Sequence, residues 1–173
     1  RKGQKVAANR ADRVSSEGVT LAKVNKENTF GILISINCET DFVAKNQSYI
    51  DLSNSLADSA INYNTLDSFL ASDFEGMSVS EKLIEQTGVI GEKIEIGGFK
   101  TLKAPFIGSY IHAGNKIATL IGLSLSSEYS QEIAKNVAMQ AAAMNPIALD
   151  EKGVDSSIIE KEIEIAKDQL RQE

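Results

Sequence analysis

One cysteine and one histidine limit what this chain could do as a catalyst. Cys38 is the only thiol and His112 the only imidazole among 173 residues. Nucleophilic catalysis needs a nucleophile, a base and a group to orient the base. Cys38 ends an apolar strand pattern, where an inert buried thiol is the ordinary outcome. His112 ends another strand. Neither has Cys or His companions at zinc-ligand spacing. No phosphate-cradling G-x-x-x-x-G-K-[ST] loop occurs. Gly97-Gly98 is too short for a dinucleotide fingerprint and suits a strand bulge. Acidic residues are numerous, but none form a spaced pair that marks an acid and a base. The inventory favours a binding protein over an enzyme, with no metal or cofactor expected.

One segment stands apart. In Asn37-Cys38-Glu39-Thr40-Asp41-Phe42-Val43-Ala44-Lys45-Asn46 an Asp-Phe pair falls where a strand pattern gives way to a helix pattern. Two readings compete. In the first, Thr40 or Asp41 caps the helix and Phe42 packs under its first turn. In the second, an acidic residue beside an exposed aromatic forms a rigid corner that probes a partner.

The elements around this corner follow from periodicity. Residues 1–16 carry Val6, Ala7, Arg10, Ala11 and Val14 at helical spacing. Residues 19–26 and 29–38 alternate, with β-branched Ile32, Ile34 and Ile36, and the turn 25–28 joins them into a hairpin. An amphipathic helix is expected over 43–62, a short one near 66–71, and another over 78–88. Ser78 and Glu81 have capping-box spacing there, and Gly88 is the expected C-cap. Residues 93–103, 105–112 and 116–125 read as strands, with Ala113-Gly114-Asn115 as a turn. A helix over 127–144 closes on Asn145-Pro146. A final amphipathic helix spans 154–173.

Strand, turn, strand and helix over 19–62 recur over 105–144, each time with an alanine-rich helix face. The expected fold is therefore α+β: two related subdomains, each a small antiparallel sheet packed with helices. The expected organisation is an N-terminal helix at 1–17, one subdomain at 18–104, a second at 105–153, and a helix from 154 that leads out of the core.

Composition narrows the partner. Formal net charge is −6 and the pI about 4.9, which disfavours a primary nucleic-acid binder. Residues 1–13 are the exception, with five basic residues against one Asp. They read as a solvated helix face or an anion site. A lone Cys suits a reducing compartment, and no run of 18 apolar residues marks a membrane span. The chain begins with Arg, not Met, and reads as a fragment.

The segment Ile36–Asn46 resembles the signature of elongation factor Ts. Gly108-Ser109-Tyr110-Ile111-His112-Ala113-Gly114-Asn115-Lys116-Ile117 is similar to the family's second strand–turn–strand, and Ala138–Pro146 to its Ala-rich helix and Pro stop. The departures are local. Asn115-Lys116 stands where many members have Gly or Ala followed by Arg, and Ala118-Thr119 where they have Gly-Val. Lys keeps the charge but lacks the planar fork.

The resemblance implies a cytoplasmic guanine-nucleotide exchange factor for elongation factor Tu, in its GDP-bound and nucleotide-free forms; an organelle of bacterial descent fits equally. It implies that Thr40, Asp41, Phe42 and Val43 form one partner contact, with Asp41 and Phe42 intruding near the magnesium and phosphate site. His112, Gly114 and Lys116 would form a second. It also implies that an N-terminal helical module and a coiled-coil segment lie outside this chain, and it allows homo-oligomers through them. No direct contact with nucleic acid or membrane is implied. The rivals are an RNA- or ribosome-associated protein using residues 1–13, a family member with interaction duties alone, and a hydrolase or transferase using Cys38 and His112.

Overall fold

The structure is a computed structural model and describes residues 2–172. Arg1 and Glu173, at the outer ends of two expected helices, lie outside the described residues. Two compact units separate, one reaching Ala142 and one starting at Ala143.

In the first unit, β1 (Glu17–Val24) and β2 (Phe30–Cys38) form the expected hairpin, and β5 (Glu95–Lys103) pairs antiparallel with β2 on its other side. Period-two alternation sends Ile32, Ile34, Ile36 and Cys38 to one face of β2. Val19 and Leu21, opposite Ile36 and Ile34, join them. This face is covered by α3 (Gln47–Ala60), which buries Tyr49, Leu56, Ala57 and Ala60. Phe69 of α4 (Leu66–Leu70) fills the far end between Tyr63 and Phe99, at ring separations of 5.7 and 5.9 Å. The expected bulge is present. Ser35 faces Gly98 and Ile36 faces Ile96, so Gly97 is the extra residue.

Several boundaries differ from the sequence reading. The first helix, α1 (Lys2–Arg10), stops six residues early. The helix expected over 43–62 is two helices, α2 (Asp41–Ala44) and α3, because the Asn46 side chain accepts from the Ser48 amide and starts a new helix. The capping box at Ser78 and Glu81 opens α5 (Val79–Ile90) as expected. Its C-cap, however, is Gly91 at φ 81°, and Gly88 lies within the helix. A two-residue hairpin, β3 (Asp73–Phe74) and β4 (Met77–Ser78), turns on Glu75 and Gly76 and was not foreseen.

The second hairpin, β6 (Phe106–Ile111) with β7 (Ala118–Leu123), packs on the opposite face of the first sheet. The Ile107 amide donates to the Asn28 carbonyl, and a Cβ at Gly31 would touch Ile107 and Leu120. The following helix, α6 (Ser130–Met144), buries Ala134 and Ala138. Thr119 Oγ1 donates to the Ala138 carbonyl at 2.8 Å. Each hairpin thus meets a helix through alanines, in an α+β fold of small antiparallel sheets packed with helices. In the second unit, a single 3-10 turn (Glu151–Gly153) precedes α7 (Ser156–Gln172).

Candidate functional site

The corner after β2 is built by capping. Thr40 is extended at φ −125°, ψ 154°, and its Oγ1 accepts from the Val43 amide, which starts the single turn of α2. Of the two expected caps, Thr40 is therefore the one used. Val43 packs against the core and Ala44 is buried. Phe42, on the other side of the same turn, is 83% exposed. The reading in which Phe42 packs under the helix is overturned, because Val43 fills that place.

Asp41 is half exposed and pairs with Lys45 at 2.6 Å, one helical turn on. That bond and the Lys45 charge hold its carboxyl below the usual carboxylate range, with Lys116 adding to the effect. The corner thus presents a bare aromatic ring next to an ionised carboxylate.

The second segment lies at the β6–β7 turn. The His112 amide donates to the Ile117 carbonyl at 2.8 Å, and the Asn115 amide donates to the His112 carbonyl at 3.0 Å. Gly114 (φ 87°) and Asn115 (φ 56°) take the left-handed conformations that such a turn requires. The His112 ring is exposed, with Nδ1 3.1 Å from the Tyr110 hydroxyl. The turn is tied to β1 twice: the Thr20 amide donates to the Asn115 carbonyl at 2.7 Å, and the Lys116 ammonium pairs with the Glu17 carboxylate.

Strand β1 is the shared platform, since α2, β6 and β7 all rest on it. The two segments predicted from sequence therefore rest on one strand. Lys116 itself is engaged with Glu17.

Cys38 is fully buried, and its thiol donates to the Thr40 carbonyl at 3.2 Å. Burial pushes the thiol up, so it stays protonated and weakly nucleophilic. No group of three or more His, Cys, Asp or Glu side chains suited to a metal ion occurs among the described residues. No helix of these residues is long and apolar enough to cross a membrane.

Four residues brace the corner in a way that the sequence does not announce: Glu92, Glu39, Lys93 and Arg10. Glu92 Oε2 accepts from the Glu39 and Thr40 amides at 3.1 and 3.0 Å, and its Oε1 accepts from Thr40 Oγ1 at 2.6 Å. Glu39 accepts in turn from the Lys93 amide at 2.7 Å, and both its oxygens accept from Arg10 at 2.8 Å. Arg10, counted in the basic stretch as a solvated or anion-binding residue, therefore takes an anion of the same chain. The partners lie 29 to 54 residues apart in sequence, and no local pattern announces them.

Comparison with known proteins identifies a family. The family model described as Elongation factor TS matches residues 39–173. The chain is 65% identical over its whole length to the elongation factor Ts of Christiangramia forsetii and 59% identical to that of Flavobacterium psychrophilum. It covers 63% of each of those proteins. It is 41% identical to that of Bacteroides fragilis, over 99% of this chain and 52% of that protein. The chain therefore spans about two thirds or less of the length of these relatives. On the family model and these relatives together, the chain belongs to the elongation factor Ts family.

Proposed function

We propose that this chain contributes to guanine-nucleotide exchange on elongation factor Tu, and that it does so by binding alone, without covalent chemistry or a cofactor of its own. The observation that carries the reading is Phe42, which is 83% exposed on a turn whose other side is anchored in the core. A large aromatic presented on a rigid base is the ordinary form of an interface anchor. Asp41 beside it supplies a negative charge that stays ionised, because Lys45 holds it so.

The mechanism is linkage. A GTP-binding partner holds GDP through a phosphate loop and Mg²⁺. A protein that binds the empty form more tightly than the loaded form must weaken nucleotide binding by the same factor. Phe42 enters an apolar pocket beside the magnesium site, and Asp41 disturbs the ion's ligand shell. His112, Gly114 and Lys116 form the second contact, with Thr40 and Val43 as the base of the first. These roles come from the family resemblance, and the exposure of Phe42 and His112 supports them. The partner and the activity place the chain in translation elongation, in the cytoplasm or in an organelle of bacterial descent.

Release of fluorescent GDP from elongation factor Tu, followed with and without the chain, tests the proposal. Acceleration that saturates with chain concentration supports it. An unchanged release rate, together with no calorimetric signal of binding, refutes it.

A further inference from the structure

The turn that carries Phe42 is too short to hold itself. A four-residue helix closes barely one turn, and such a nucleus is unfavourable unless something outside it fixes the chain. The fixing groups come from the loop after α5. Gly91 reverses the chain in a left-handed C-cap, its amide donating to the Thr87 carbonyl. Three residues on, buried Ile94 donates its amide to Thr87 Oγ1 at 3.0 Å. Glu92 is thus held from both sides. Its carboxylate accepts the amides of Glu39 and Thr40, the two residues that lead into α2, and the hydroxyl of the residue that caps it. The same Thr40 oxygen accepts from the Val43 amide, so one chain of hydrogen bonds runs from Glu92 into the turn. Glu39 and the Lys93 amide complete a reciprocal clasp.

We propose that Glu92 is a positioning residue for nucleotide exchange. It fixes Thr40, and through Thr40 the direction in which α2 presents Asp41 and Phe42 to the partner. The inference rests on the exchange reading above. It adds a residue that makes no contact with the partner and acts only through the corner.

The test is a double-mutant cycle on GDP release from elongation factor Tu, measured against chain concentration and well below every variant's melting transition. The variants are Glu92→Ala, Phe42→Ala and the two combined, with Glu92→Gln and Glu92→Asp as controls. In Glu92→Ala the maximal release rate falls at least about fivefold, in keeping with the cost of a misplaced contact group. Glu92→Gln keeps a carbonyl acceptor for the two amides and recovers most of the rate. Glu92→Asp keeps the charge but withdraws it by one carbon, and it is slowed as Glu92→Ala is; it also serves if Glu92→Ala does not fold. The combined variant is slower than Phe42→Ala by clearly less than the factor that Glu92→Ala shows alone, because Glu92 acts through the corner that carries the ring. The proposal is overturned if Glu92→Ala and Glu92→Asp stay within about twofold of the parent, or if the two losses multiply in the combined variant, as independent sites do. Release by Phe42→Ala at the parent rate overturns the wedge role of Phe42 instead, and a parent chain that neither binds nor speeds release overturns the exchange reading. A slowed Phe42→Ala beside parent-like Glu92 variants sinks the positioning role alone.

Discussion

Phe42 and Val43 are neighbours in sequence with opposite fates, and packing decides between them. Val43 lies against the core while Phe42 faces outward. Both satisfy the apolar period of the helix, so the sequence left Phe42 open between staple and probe. Its exposure predicts that Phe42→Ala shifts thermal stability by no more than about 0.5 kcal/mol, against the 3–5 kcal/mol that a buried Phe would cost. Asp41 acts by charge, so its substitution has a different signature. Asp41→Ala should slow GDP release from elongation factor Tu when Mg²⁺ is present. The deficit should fade once Mg²⁺ is chelated, since chelation removes the ion that Asp41 is proposed to disturb. A deficit of the same size with and without Mg²⁺ would assign Asp41 to simple docking. Thr40 was legible as a cap because capping is local chemistry. Glu92 was not legible, because its partners lie 52 and 53 residues away.

Among elements, the Glu39 carboxylate ties the corner to the Lys93 amide and to Arg10, and acid should loosen that tie. The Lys93 amide and then Arg10 hold Glu39 below the usual glutamate range, with Arg13 adding to the effect. A depressed folded-state value means that Glu39 contributes stability above its ordinary value, near pH 4.3. That contribution is lost as the pH falls through the lowered value. Glu39→Gln keeps an acceptor for the Lys93 amide but gives up the charge. Its melting temperature should therefore lie below the parent's at neutral pH, and the gap should close under acid conditions. A gap that stays constant from pH 7 to pH 3 would remove the ion pair from the account. Close approach governs the second hairpin. A Cβ at Gly108 would collide with that of Ala134 and come within 3.1 Å of its carbonyl carbon. Gly108→Ala should cost roughly 1–3 kcal/mol in thermal unfolding, as overpacked sites do. Parent-like stability would mean that α6 can move aside. The two hairpins and the glycine bulge were readable because alternation, turn residues and glycine are local signals; the pairing of β5 with β2 was not, because those strands lie far apart in sequence. The break between α2 and α3 was not, because the apolar period runs on through Lys45 and Asn46 while the Asn46 cap restarts the helix.

At the scale of the whole molecule, the repeat of strand, turn, strand and helix was visible in sequence, and so was its α+β consequence. Its arrangement was not. The second hairpin lies across the first sheet and is tied to β1 by Lys116 and Glu17, 99 residues apart. That crossing brings the turn of His112 and Gly114 to the same strand that supports the Asp41–Phe42 corner. Both expected contacts therefore share one base. The decisive measurement is the maximal rate of GDP release from elongation factor Tu at saturating concentrations of the parent chain and of Phe42→Ala. The variant should fold with parent-like stability and release GDP at least about tenfold more slowly, as loss of an aromatic anchor should. A folded Phe42→Ala chain that releases GDP at the parent rate would contradict it.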